Sequence, residues 1–178
     1  MNIRRSQGLA LFLGAAFLPL ALLDLNADYF RYLGLIGVLL FLFGVPAINT
    51  SQPSGPIGWI GILLILLAAV IAVGFRIGVF GDTGFEDALI ATSVIGALAG
   101  RIITGWLTIK KQVFSPWLGW GLLAVGVINL TGSLDLGSLG SVISIALVLF
   151  DSAVLAVYGI EIFRKNESRA NAKLGLPN

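Results

Sequence analysis

The chain contains no cysteine and no histidine, and only one methionine, among its 178 residues. Without cysteine there is no disulfide, thiolate metal site, lipoprotein-type acylation or sulfur nucleophile. Without histidine the commonest ligand for haem iron, zinc and copper is missing, and so is the usual proton shuttle near neutral pH. No cofactor and no metal is therefore expected. Charge is scarce as well: Asp, Glu, Lys and Arg make up 11% of the residues, against about 25% in soluble domains.

What is present is overwhelmingly apolar. Hydrophobic residues reach 57% and the mean hydropathy is +0.99, more apolar surface than a water-soluble fold can bury. At about 20 apolar residues per crossing, a chain of this length holds six spans at most and leaves nothing over for a soluble catalytic domain. The net charge of +2 reflects basic membrane edges rather than affinity for nucleic acid.

Six apolar runs stand out, at 7–23, 33–49, 57–75, 88–109, 117–130 and 139–163. They are continuously apolar rather than alternating, which favours helices over a barrel, because each span in lipid must satisfy its own backbone. The expected fold is an all-α polytopic bundle of six spans in three hairpins. It forms one domain over 1–165, followed by a short polar cytoplasmic tail at 166–178 that starts as a helical extension and then frays.

Charge sets the orientation. Arg4, Arg5, Lys110, Lys111, Arg164, Lys165, Arg169 and Lys173, eight of the eleven basic residues, fall on one side. Opposite them lie Asp24, Asp28, Asp82, Glu86, Asp87 and Asp135, accompanied only by Arg31 and Arg76. Under the positive-inside rule both termini are cytoplasmic, in a plasma membrane of the bacterial inner-membrane kind. Trp59, Trp106, Trp117 and Trp120 then sit at the inner interface and Tyr29 and Tyr32 at the outer one. The first run is read as a retained span rather than a cleaved signal peptide, since Leu25 suits the cleavage site poorly. The segment 49–56, rich in Asn, Ser, Pro and Gly, breaks the chain between the second and third runs.

Gly58-Trp59 and Gly119-Trp120 open the second and third hairpins. Over 58–164 this pattern resembles the HdeD-like acid-resistance membrane proteins, a likeness that implies three helical hairpins in a small stress-type membrane protein.

Few residues are candidates for chemistry. Thr92, Gly96, Gly100, Thr104 and Thr108 recur every four residues, and Gly96 with Gly100 forms a GxxxG step that lets another helix approach closely. Asp151 lies near the middle of the last run, where a carboxylate costs roughly 2.5 to 3.5 kcal/mol unless it is neutral, paired or facing water. Ser144, Asp151 and Tyr158 are seven apart and share a face. Arg101 is either a snorkelling cation near the inner interface or the partner of Asp151. Asn129, on the fifth run, is a second possible partner. Glu161, one turn before Arg164 and Lys165, reads as half of a surface ion pair.

No catalytic constellation emerges. There is no Walker loop, HExxH or GxSxG motif, and Asp151 is the one acid at mid-depth, whereas an intramembrane aspartyl protease needs two. The expectation is a non-enzymatic membrane protein, either an accessory or structural subunit of a membrane complex or a small stand-alone stress-type protein. Its expected partners are membrane lipids and other membrane chains or further copies of itself. The alternative is a small proton-coupled or solute-permeating transporter that uses Asp151.

Overall fold

The computed structural model describes residues 3–22, 28–76, 79, 84–132 and 138–174. Among the described residues seven helices follow one another: α1 Ile3–Leu22, α2 Asp28–Gly44, α3 Pro46–Ser51, α4 Gly55–Arg76, α5 Glu86–Lys111, α6 Pro116–Gly132 and α7 Ser138–Leu174. Among the described residues there is no strand. Four stretches of the described residues are long and apolar enough to cross a membrane, namely Leu33–Ser51, Gly55–Phe75, Glu86–Lys111 and Ile145–Ser168, with Pro116–Ile128 a shorter apolar helix. Asp24, Asp82, Asp135 and the end of the tail at 175–178 lie outside the described residues, as do the side chains of Ser144 and Asn129.

Local sequence explains most helix ends. Proline has no N–H to donate, so Pro46 interrupts the ladder between α2 and α3. The break is slight, because Val45 stays in the right-handed helical region at φ −54°. At the segment 49–56 the chain does leave helix, and α4 restarts at Gly55, whose φ is +66°. Glu86 and Asp87 occupy the first turn of α5 and Lys110 and Lys111 its last, complementing the helix dipole at both ends. Pro116 opens α6 at the position where a missing N–H costs nothing.

The chain divides into two compact units, Met1–Gln52 with Ser152–Asn178, and Pro53–Asp151. In the first, α1 runs antiparallel to α2. A methyl group added at Gly14 would come within 2.4 Å of the Phe41 backbone nitrogen, and one at Gly44 within 2.4 Å of the Leu11 nitrogen. The same unit packs α1 against the later part of α7, where Gly8 and Gly159 face each other's carbonyl oxygens. Leu11, Val45, Ile48, Tyr158 and Ile162 are fully buried there. Arg5 donates to Glu167 at 3.0 Å and lies 4.4 Å over the Phe163 ring, tying the start of α1 to α7 beyond its apolar section. With 37 residues at about 1.5 Å each, α7 is roughly 55 Å long, well over the ~30 Å of a hydrocarbon core.

In the second unit α4, α5 and α6 form an antiparallel row. Gly61 meets Ile103 and Thr104 of α5, while Gly100 meets Gly61 and Ile65 of α4. Gly105 meets Gly119 and Leu122 of α6. Ile62, Leu118, Leu122 and Val125 are at most 1% exposed and form the core of this row.

Candidate functional site

The polar residues expected at mid-depth are partly brought together. Arg101, on the buried side of α5, donates from Nε to Asp151 Oδ1 at 3.0 Å and from Nη2 to Asp151 Oδ2. Its remaining nitrogen, Nη1, donates to the Ala97 carbonyl oxygen one turn back, at 3.2 Å. The planar guanidinium thus meets the carboxylate as two parallel bonds, a geometry that lysine cannot copy. The Asp151 side chain is 6% exposed and that of Arg101 17%. Each Asp151 oxygen therefore accepts from Arg101, whose Nη1 turns back toward the preceding turn of α5.

Glycine and proximity explain how two charges meet so deep. Small residues at Gly96 and Gly100 draw α5 against α4, which turns Arg101, one position on, to a neighbouring face. Asp151 is 4% exposed, and Tyr158 is fully buried seven residues later.

The every-fourth-residue series on α5 is not one straight seam. Gly96, Gly100, Thr104 and Thr108 are buried, whereas Thr92 is exposed and folds its hydroxyl onto the Ala88 carbonyl at 2.7 Å. Four residues turn a helix about 40° beyond a full revolution, so the series rotates off the contact by its upper end. Ser93 takes over there and donates to the Ala68 carbonyl of α4 at 3.1 Å. Thr108 donates to the Thr104 carbonyl at 2.9 Å, but the Thr104 hydroxyl, buried at the Gly61 crossing, has no hydrogen-bond partner.

Other sequence features find their places. Lys165 approaches Glu161 at 3.8 Å across one helical turn. Gly58 and Gly119 are buried while Trp59 and Trp120 beside them are exposed. Adjacent helical positions lie about 100° apart, so a Gly-Trp step turns its small residue toward a neighbouring helix and its indole outward. Gly119 stands out in sequence only as half of a Gly-Trp step, and nothing there marks its pairing with Gly105, or that of Gly8 with Gly159, in a chain that has 23 glycines.

Comparison with protein families, with curated proteins and with solved structures gave no match to this chain. The Gly-Trp likeness stands on its two dipeptides.

Proposed function

We propose that this chain is a non-enzymatic integral membrane protein that works as a packing element of the bilayer. In this reading it is an accessory or structural subunit of a membrane complex, or else a small stand-alone protein of the stress type. The observation that carries it is the closed pair of Arg101 and Asp151. Both oxygens of this buried carboxylate accept from one guanidinium, which ties Asp151 to α5 and favours a packing role over a proton or cation site. A buried ion pair of this kind fixes helix register more than it adds net stability. Large apolar side chains on the outside, among them Leu39, Leu63 and Val94, suit a surface covered by lipid tails or by another membrane chain.

Six spans with both ends on the cytoplasmic face of a bacterial plasma membrane belong to the same proposal, on the strength of the charge asymmetry. Purification of the tagged full-length chain in mild detergent tests it. Stoichiometric co-purifying membrane proteins support the accessory role, and a homogeneous small oligomer supports the stand-alone one. Proton or solute flux from liposomes that is abolished by Asp151→Asn would overturn both in favour of transport.

A further inference from the structure

We propose that one end of the Pro53–Asp151 unit, where α5 finishes and α4 and α6 begin, is a binding surface for the phosphate headgroups of anionic phospholipids. All four tryptophans of the chain gather there. Trp59 is four residues from the start of α4, Trp106 five from the end of α5, and Trp117 and Trp120 stand in the first turns of α6. Those offsets correspond to depths of about 8 Å or less along the helices. The antiparallel contacts of Gly61 with Thr104 and of Gly105 with Gly119 bring the three helix ends to the same side. The four indoles are 42%, 47%, 52% and 62% exposed, in chain order.

Charge at this end has one sign. Lys110 holds its ammonium 4.8 Å from the Trp106 ring centroid, and Lys111 is exposed beside it. Between residues 88 and 134 the chain has no Asp or Glu, and its third cation there, Arg101, is taken by Asp151. Among the described residues neither lysine is ion-paired. An indole is an apolar body with a polar N–H rim, so it settles where acyl chains give way to headgroups. A lysine stacked on such a ring is carried at that level, within reach of lipid phosphate. A second copy of this chain offered to the same surface would set lysine against lysine. An anionic leaflet supplies both the apolar layer for the rings and the negative charge for the ammonium groups.

The proposal rests on the membrane-spanning reading, and the test separates the two. Full-length protein is placed in nanodiscs of phosphatidylcholine alone or mixed with phosphatidylglycerol, and native mass spectrometry counts the lipids that stay bound after release. Phosphatidylglycerol should be retained in preference, with about a fivefold loss of that preference for each lysine removed in Lys110→Gln and Lys111→Gln. Lys110→Arg with Lys111→Arg should keep it, and all variants should show the parent melting temperature. A chain that does not enter nanodiscs overturns the membrane reading itself. A chain that enters but holds the two lipids equally, or keeps its preference in the double Gln variant, overturns the headgroup site alone. Displacement of the lipid by excess inorganic phosphate would assign the lysines to a free ion, and a change of oligomeric state in the Gln variant would assign the surface to a second copy.

Discussion

Gly105 of α5 and Gly119 of α6 lie backbone against backbone, so that a methyl group placed on either would stand 2.6 Å from the other's carbonyl oxygen. At that separation the contact is made by Cα–H groups against carbonyl oxygens and by dispersion between main chains. Gly119→Ala should push the helices apart and lower the detergent melting temperature, at a cost of about 1 to 3 kcal/mol. Ala124→Gly, on the same helix but outside the glycine crossing, serves as the comparison and should cost no more than the ~1 kcal/mol of a helical glycine. Equal melting of Gly119→Ala and the parent would mean that this crossing is looser in the membrane than here.

Arg101 and Asp151 should behave as one unit in a double-mutant cycle. Removing one partner strands a buried charge and costs about 3 to 5 kcal/mol, so Asp151→Asn and Arg101→Gln should each destabilise strongly. The double variant should recover a large part of the summed loss, because neither charge is then left alone. Additive losses from urea or thermal unfolding in detergent would reject the pair as an energetic unit.

The two buried threonines on α5 should differ in their response to the same substitution, Thr104 tolerating it at least as well as Thr108. Thr104 buries a hydroxyl without a partner, so Thr104→Val keeps its shape, removes the orphan and leaves stability equal or higher by up to about 1 kcal/mol. Thr108→Val deletes the bond to the Thr104 carbonyl and should be neutral or mildly destabilising. Thermal melts of both variants decide it; a marked loss in Thr104→Val would reveal a partner bound to that hydroxyl in the membrane.

Backbone conformation gives a further pair. Gln112 caps α5 in the left-handed region at φ +51°, where a side chain costs about 1 to 2 kcal/mol. Gln112→Gly should raise the melting temperature, although greater freedom in the unfolded chain offsets part of the gain. Gly55 holds φ +66° with open space around it, so Gly55→Ala should be destabilising through backbone strain alone. A fall on Gln112→Gly would show that its side chain contributes more than the strain.

Much of the helical layout was legible because lipid-type helices announce themselves by length of apolar run. The runs 57–75 and 88–109 sit inside α4 and α5, and 33–49 sits on α2 and α3, divided at Pro46. Past the last apolar run α7 continues to Leu174, through the polar residues where the sequence predicts a helical extension. The glycine crossings were less legible. Gly96 and Gly100 could be singled out by their spacing, whereas Gly105 with Gly119 depends on the register of one helix against another, which no single segment encodes. The same limit applied to the deep charges. Heights along two helices put Arg101 within reach of Asp151, but the rotation of each helix decided which polar group it met.

The glycine crossings have a consequence for the conditions under which the molecule holds together. At Gly8 with Gly159, Gly14 with Phe41, and Gly105 with Gly119, helix meets helix through uncharged main-chain atoms. Nothing in those seams gains or loses a proton, and no dissolved ion can screen them. Acidifying the medium or raising its salt acts on ion pairs such as Arg5 with Glu167, while these glycine seams stay as they were. The strength of those crossings is thereby set by how closely two backbones approach, independently of pH and ionic strength.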